Sequence, residues 1–163
     1  MSQLAWFNVE FTLEAGRPDT INNENLKIIA DNGVTRISVN PQTLNDKTLS
    51  LIGREHSAKD FYEAYSIASK YNFIKNVDII VGLPGESEND FMKTLSGILS
   101  LQPENLTVHT LSIKRGGLLK NNYSLSDFNL IKPIMDIAQD IIDKADYFPY
   151  YMYRQKNMVD GLE

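Results

Sequence analysis

Hydrophobic positions along this chain alternate between two periods. Some segments have apolar residues at every second position, which is typical of strands. They alternate with segments in which apolar residues recur every three to four positions, which is typical of helices. The predicted strands are residues 4–13, 35–39, 77–81 and 105–113, and the predicted helices are residues 20–32, 42–52, 57–71, 87–101 and 126–145. Residues 147–158 form a tyrosine-rich C-terminal extension with the pattern of a final strand. This alternation predicts parallel pairing through right-handed crossovers and therefore an α/β fold.

Residues 76–86 give the most regular strand-turn-helix unit, and they contain one acid within the strand. Val77, Ile79 and Val81 share one face, so Asp78 lies on the other. A carboxylate in an apolar strand loses hydration energy unless it has a partner. Two interpretations remain open: Asp78 makes a structural ion pair or hydrogen bond beside the strand, or it binds a ligand.

The turn after this strand, Gly-Leu-Pro-Gly at residues 82–85, is a poor phosphate site. The following helix begins with Glu86, Glu88 and Asp90, which suit the positive end of the helix dipole but repel a phosphate. Ser87 and Asp90 have the spacing of a capping box. Neither G-x-G-x-x-G nor G-x-x-x-x-G-K is present, which argues against a doubly wound nucleotide-binding sheet.

Polar residues at the ends of successive strands favour a partial (β/α) barrel instead. Glu14, Gln42, Asp78 with Gly82, and Ser112 lie on or just beyond the C-terminal parts of the strands, where barrels place their chemistry. A complete eight-stranded barrel takes about 250 residues, so a chain of 163 residues is expected to form part of a barrel or a small open sheet. Exposed strand edges would favour self-association or strand exchange between copies.

Composition predicts a single soluble domain over residues 1–163, with residues 1–2 and 162–163 interpreted as cloning remnants. The net charge of −5 and the lack of a dense Lys/Arg run argue against nucleic acid or an anionic membrane as the main partner. No apolar run approaches the roughly 18 to 20 residues that a bilayer needs, and no signal peptide is recognisable. We therefore expect a cytoplasmic protein.

Cysteine is absent, which excludes disulfides, thiolate zinc sites, cysteine nucleophiles and cysteine-ligated iron-sulfur clusters for the residues present. The two histidines, His56 and His109, lack the spacing of a metal-ligand pair, and we interpret them as a solvated loop residue or a satisfied strand residue. The G-x-S-x-G elbow of serine hydrolases is also missing.

Four ordered segments carry a family resemblance. They are F-T-L-E-A-G-R-P-D-T at residues 11–20, R-I-S-V-N-P-Q-T-L and L-I-G-R-E-H-S within residues 36–57, N-V-D-I-I-V-G-L-P-G-E at residues 76–86, and P-Y-Y-M-Y-R-Q-K-N-M at residues 149–158. Together they resemble the radical S-adenosylmethionine enzymes of the oxygen-independent coproporphyrinogen III oxidase family, most closely its coproporphyrinogen dehydrogenase branch. The resemblance covers residues 6–159 and implies the C-terminal part of a TIM-like barrel, corresponding to about its third to sixth strands.

The resemblance also implies which residues bind S-adenosylmethionine. Seven positions match the cofactor pocket of the family: Glu14, Gln42, Arg54, Asp78, Gly82, Leu83 and Ser112. Arg54 would meet the cofactor carboxylate, Asp78 the ribose, and the Gly82–Leu83 backbone the adenine. The cofactor carries a sulfonium, an ammonium, a carboxylate and a ribose diol but no phosphate, so acids and one arginine suit it.

Two family segments are missing, the C-x-x-x-C-x-x-C loop and a Gly-Gly segment that holds the methionine amino group. Without three thiolates there is no [4Fe-4S] cluster and no electron to cleave the sulfonium, so this chain alone is expected to be inactive. For the full-length parent, the resemblance implies hydrogen abstraction from a propionate of a tetrapyrrole, coproporphyrinogen III, and decarboxylation to a vinyl group, twice per substrate. Family members also handle haem or transfer methyl groups, so the substrate is less firmly implied than the cofactor.

Two other function classes remain open. One is a complete small α/β binding module, which predicts saturable binding of a partner or ligand by the isolated chain. The other is an unrelated barrel enzyme that uses Glu14 and Asp78 as a carboxylate pair, which predicts that a metal or substrate raises the melting temperature.

The absence of cysteine gives a direct prediction. Anaerobic reconstitution of this chain with iron and sulfide should produce no cluster absorbance, because no thiolate is present to ligate iron. The measurement is an absorption spectrum after removal of unbound iron. A stable, stoichiometric cluster on this chain would contradict the interpretation.

Overall fold

The computed structural model describes residues 10–111 and 131–149, and its centre is a four-stranded parallel sheet with strand order β1-β2-β3-β4. The strands are β1 (Thr12–Leu13), β2 (Arg36–Ser38), β3 (Ile74–Val81) and β4 (Asn105–Thr110). The helices are a 3-10 turn (Pro18–Thr20), α1 (Asn23–Asp31), α2 (Asp46–Leu51), α3 (Ala58–Ala68), α4 (Glu88–Leu99) and α5 (Ile131–Lys144). Because neighbouring strands are also consecutive in the chain, the sheet has the connectivity of part of a (β/α) barrel.

The long strand β3 has one buried face, as its alternation predicts. Val77, Ile79 and Val81 are completely buried. They form one core with the helices, including Phe61 of α3 and Phe91 of α4. Burying a side chain of this size contributes about 1.5–3 kcal/mol, so this face fixes the helices on the sheet. The other face of β3 is half-buried and carries Asp78.

Side-chain caps begin three of the helices, and the capping box predicted at Ser87 is confirmed. Ser57 and Ser87 begin α3 and α4 with complete capping boxes. In the second box the Ser87 hydroxyl accepts a hydrogen bond from the Asp90 N–H at 3.2 Å, and the Asp90 carboxylate accepts one from the Ser87 N–H at 3.1 Å. The Asn22 side chain caps α1 by accepting a hydrogen bond from the Asn25 N–H at 2.8 Å. These bonds satisfy donors that a helix start otherwise leaves unpaired.

The predicted helix 42–52 begins four residues later than expected. Gln42 has φ +68° and pairs with β3: its N–H donates to the Asp78 carbonyl at 3.2 Å, and its carbonyl accepts from the Ile80 N–H at 2.8 Å. The helix starts only at Asp46, after the cap residue Asn45. The chain that leaves β2 therefore returns to β3 before it turns into a helix, and long-range pairing overrides local helix propensity.

Several predicted boundaries shift or fall beyond the described ranges. The first strand is confirmed only at Thr12–Leu13, since residues 4–9 lie outside the described part, and helix 57–71 ends at Ala68. The N-terminal part of helix 126–145 and the tail from residue 150 also lie outside it. None of the helices in the described ranges is long and apolar enough to cross a lipid bilayer.

Gly82 and Gly53 form a matched pair for a stability prediction. Both have positive φ, at +81° and +72°, but a Cβ on Gly82 would lie 2.7 Å from the Ile131 side chain, whereas one on Gly53 would meet nothing within 4 Å. Substitution by Ala should cost about 1–2 kcal/mol at either site for the backbone, and about 1–3 kcal/mol more at Gly82 for overpacking. Urea unfolding followed by circular dichroism measures the free energy of unfolding of each variant. An equal loss of stability at the two sites would contradict the contact with Ile131.

Candidate functional site

The candidate site lies at the carboxyl-terminal edge of the sheet, where the loops after β1, β2 and β3 meet. Parallel strands bring their C-terminal ends to one edge, so residues far apart in sequence become neighbours there. The main-chain N–H of Asn40, after β2, donates to the Gly16 carbonyl after β1 at 3.2 Å. The same residue contacts Asp78 on β3, so three strand ends are joined.

Asp78 is held by two hydrogen bonds from one side chain. The Asn40 Nδ2 donates to the Asp78 carboxylate at 2.9 Å, and the Asn40 Oδ1 accepts from the Asp78 main-chain N–H at 3.1 Å. Asn40 is 9% exposed, whereas the Asp78 side chain is 26% exposed. The hydrogen-bonding interpretation of Asp78 is therefore confirmed, and the carboxylate still reaches the surface of this edge.

His109 flanks Asp78 on the other side. Its Nε2 lies 3.8 Å from the Asp78 carboxylate, and β4 pairs with β3 so that His109 is opposite Ile80. The two side chains therefore lie on the sheet face that does not pack against the helices. An imidazole with a proton on Nε2 would present a donor toward this carboxylate.

A buried carboxyl group ties the turn after β3 to the loop after β2. The Thr43 hydroxyl donates to Glu86, and Thr43 also lies 3.2 Å from the hydroxyl of Thr94 on α4. Burial raises the pKa of the Glu86 carboxyl above its ordinary value; bonds to Thr43 and Thr48 oppose this, and nearby Asp90 adds to it. The cluster holds residue 43, beside Gln42, against the turn that begins at Gly82.

The loop that carries Arg54 is fixed at the same edge by its neighbours. Glu55 accepts a hydrogen bond from Arg17 at 3.2 Å, and the His56 ring lies 3.3 Å from the Pro41 carbonyl. A carbonyl only accepts, so Nε2 of His56 carries the proton. His56 is 6% exposed, so its interpretation as a solvated loop residue is wrong. Arg54 is half-buried, and among the described residues no carboxylate pairs with its guanidinium.

The remaining predicted site residues differ in how exposed they are. Glu14 is exposed directly after β1, and Gly82 is half-buried directly after β3. Leu83 is 4% exposed as a whole residue, so it packs into the protein. Ser112 lies outside the described residues. The structure therefore brings Gln42, Asp78 and Gly82 to one edge.

Three residues of this edge were missed by the sequence analysis: Asn40, His56 and Glu86. Asn40 directly precedes a proline after a short strand, a position at which the chain leaves the strand ladder. This was the available signal that its side chain could form hydrogen bonds with a neighbouring backbone. Glu86 was interpreted only as part of an acidic helix start, because nothing local shows that the Thr43 loop covers it.

The residues present fit the two cofactor groups unequally. The chain has no cysteine, and the described His, Asp and Glu side chains include no group of three that would hold a metal ion, so a [4Fe-4S] cluster does not fit. A ribose diol fits the preorganised Asp78 carboxylate, and an amino-acid carboxylate fits the guanidinium of Arg54. Nucleoside binding is therefore compatible with this edge, while cluster ligation is not.

Comparison with known proteins identifies the family. The model of the Radical SAM superfamily matches residues 3–97, more than half of the chain. This chain belongs to the radical SAM superfamily. It is 40% identical over 158 residues to an oxygen-independent coproporphyrinogen-III oxidase-like protein, HemZ, of Bacillus subtilis, a match that covers 94% of this chain and 32% of HemZ. It is 35% identical over 106 residues to the heme chaperone HemW of the same organism, covering 64% of this chain and 28% of HemW.

Solved structures agree with this assignment at the level of the fold. The coproporphyrinogen III oxidase HemN of Escherichia coli superimposes with a TM-score of 0.75 at 21% identity, over 86% of this chain and 33% of HemN. Elp3 of Methanocaldococcus infernus gives 0.71 at 19% identity, over 82% of this chain and 33% of that protein. The radical SAM resemblance and the partial α/β barrel predicted from the sequence are confirmed, and the chain spans about a third of the length of these relatives.

The buried carboxyl of Glu86 predicts a pH-dependent stability. Its pKa is raised from 4.5 in the folded state, so the folded state keeps the proton to higher pH than the unfolded state. Stability should therefore fall as pH rises from 4.5 through the raised pKa, and remain lower above it. Glu86→Gln removes this titration and keeps an acceptor for Thr43, so the variant should gain stability over the parent as pH rises.

The measurement is the free energy of unfolding in urea at several pH values between 4.5 and 7.5, for the parent and for Glu86→Gln. The control is Glu88→Gln, two residues further along the chain, because Glu88 is exposed at the start of α4. A difference between Glu86→Gln and the parent that does not change with pH, or that shrinks as pH rises, would contradict the assignment.

Proposed function

We propose that this chain supplies the nucleoside-binding edge of a radical SAM protein and binds S-adenosylmethionine there. The observation that carries the proposal is the Asp78 carboxylate, fixed by Asn40 at the carboxyl-terminal edge and still partly exposed. Asp78 accepts hydrogen bonds from the ribose hydroxyls, Arg54 pairs with the amino-acid carboxylate, and the backbone at Gly82 and Leu83 borders the adenine. Glu14, Gln42 and Ser112 complete the proposed pocket.

For the whole protein, we propose oxidative decarboxylation of coproporphyrinogen III propionates to vinyl groups. Support comes from the 40% identity to HemZ, which extends over 94% of this chain. When S-adenosylmethionine is bound, it supplies the hydrogen-abstracting chemistry of the superfamily. The contribution of the described residues is to bind and orient its nucleoside and amino-acid ends, because the chain has no cysteine to ligate a cluster and the described residues include no group of three His, Asp or Glu side chains that could hold a metal ion.

A second function, haem handling without oxidation, is favoured by the 35% identity to the heme chaperone HemW. The two functions differ in what happens to the tetrapyrrole. In the complete gene product loaded with its cluster, an oxidase converts propionates to vinyls with loss of carbon dioxide, which mass spectrometry detects. A haem-handling protein leaves the porphyrinogen unchanged and binds haem, which its absorption spectrum detects.

The binding proposal predicts the effect of Asp78→Asn. S-adenosylhomocysteine should bind to the 163-residue chain, and Asp78→Asn should weaken it about tenfold or more, because a hydrogen bond to a charged group is stronger than one to an amide. Isothermal titration calorimetry measures both affinities. Asp140→Asn, at an exposed position on α5, makes the same chemical change away from the edge and should bind like the parent.

The alternatives from the sequence give different results in this experiment. A chain that does not bind S-adenosylhomocysteine, or binds it equally well after Asp78→Asn, would contradict the proposed pocket and favour the small binding module. A carboxylate-pair enzyme would require Glu14 close to Asp78, and a thermal shift induced by a metal ion and abolished by either Glu14→Gln or Asp78→Asn would favour it.

A further inference from the structure

We propose that Asn40 is a positioning residue for nucleoside binding: its side-chain amide sets the direction in which the Asp78 carboxylate meets the ribose. This inference rests on the proposed nucleoside site and adds to it a residue outside the seven predicted ones. The basis is geometric, since one buried amide bonds both the main chain and the side chain of Asp78.

Asn40 replaces a main-chain partner that β3 loses at this point. The Val39 N–H donates to the Asn76 carbonyl at 2.8 Å, as in a regular parallel ladder, and regular pairing resumes where Gln42 bonds to Asp78 and Ile80. Between them the chain after β2 bulges away. The main-chain N–H of Asp78 falls in this gap, and the Oδ1 of Asn40 accepts from it at 3.1 Å.

The opposite end of the same amide fixes the carboxylate. With Oδ1 engaged by a main-chain donor, Nδ2 of Asn40 has to face the Asp78 oxygen, which it contacts at 2.9 Å. A side-chain amide offers one donor and one acceptor at this spacing without the need to bind a proton. The orientation of Asn40 is therefore set by the backbone of β3, and it leaves the remaining lone pairs of Asp78 available for hydroxyl donors.

Burial makes this arrangement rigid. Asn40 is 9% exposed, and its own N–H is tied to the Gly16 carbonyl at 3.2 Å, so the residue cannot swing away without breaking bonds to two other strand ends. A carboxylate held in one rotamer pays less conformational entropy when it binds a diol, and its hydrogen bonds keep their direction.

The experiment compares adenosine with 2′,3′-dideoxyadenosine, which lacks both ribose hydroxyls, on the 163-residue chain. The parent should prefer adenosine by about tenfold, which corresponds to about 1.4 kcal/mol. Asn40→Ala removes both bonds to Asp78 and should reduce this preference to about twofold or less, while binding of the dideoxy compound changes little. Asn76→Ala, a neighbouring amide on β3 that contacts Arg36 instead, is the matched control and should keep the preference.

Asn40→Asp gives a pH-dependent readout that a purely structural role would not produce. Two carboxylates at hydrogen-bonding distance repel each other when both are ionised, and they retain a shared proton to higher pH than a single carboxyl group does. The preference for adenosine should therefore be lost at about pH 7.5 and partly return at about pH 5.5 in this variant. Because the Nε2 of His109 lies 3.8 Å from the Asp78 carboxylate in the parent as well, the readout is the difference between Asn40→Asp and the parent at each pH. The exchange variant Asn40→Asp/Asp78→Asn should restore the pair and its stability, but not the preference.

A measurement on the parent chain covers the case in which the Asn40 variants do not fold. The side-chain amide protons of Asn40, observed by nuclear magnetic resonance with 15N labelling, should be protected from exchange and should shift on addition of adenosine but not of the dideoxy compound. Rapid exchange of these protons, or no shift with adenosine, would overturn the inference.

The outcomes separate the inference from the proposed function. If the parent does not prefer adenosine at all, the proposed ribose contact of Asp78 fails. If the parent prefers adenosine and Asp78→Asn removes the preference, but folded Asn40 variants keep it, the ribose contact stands and the positioning role of Asn40 is overturned.

Discussion

The arrangement of this edge depends on how an acid is accommodated inside a parallel strand. Asp78 lies within β3, which pairs with β2 on one side and with β4 on the other. A carboxylate in that position loses much of its hydration, and it remains stable only if fixed donors replace the lost water. The Asn40 amide is such a donor, and it is available because the chain leaves the ladder after Val39 and returns at Gln42. The bulge after β2 and the acid on β3 are therefore two parts of one arrangement.

The loops around Asn40 and Asp78 are fixed by hydrogen bonds to one another. His56 joins the Arg54 loop to the Pro41 carbonyl, and the Thr43–Glu86 bond joins the loop after β2 to the turn after β3. Gln42 has a positive φ, and its two main-chain hydrogen bonds to β3 offset the strain of that conformation. Non-glycine residues with such backbone angles persist where the surroundings determine them, and they are frequent at functional sites. A ligand at this edge would meet groups that are already in place.

This chain matches only part of the length of other radical SAM proteins, and its residues suit only part of the chemistry proposed for the whole protein. The described edge offers a carboxylate and a guanidinium, which match a ribose and an amino-acid carboxylate, but nothing that ligates iron. The chain spans about a third of the length of its relatives. This is why nucleoside binding is testable on the chain itself, whereas substrate chemistry is a question for the complete gene product.

The sequence by itself determined the features that depend on neighbours within one element. Alternation placed Val77 on the buried face and Asp78 on the other, the spacing of Ser87 and Asp90 set the start of α4, and the lack of cysteine excluded a cluster. The family resemblance also followed from ordered segments, since it depends on residue identity rather than on contacts. Glu14, Gln42, Arg54, Asp78, Gly82, Leu83 and Ser112 were selected by that resemblance, and their roles remain proposals.

Only the tertiary structure decided the contacts between strand ends. Residues 42–45 have the local pattern of a helix start, yet pairing of Gln42 with β3 keeps them out of the helix until Asp46, because main-chain bonds to a neighbouring strand outweigh a small difference in helix propensity. The Ile131 side chain over Gly82 and the buried position of His56 likewise depend on residues distant in sequence. The partner of Asp78 is 38 residues away from it, so no periodicity within either segment could identify Asn40.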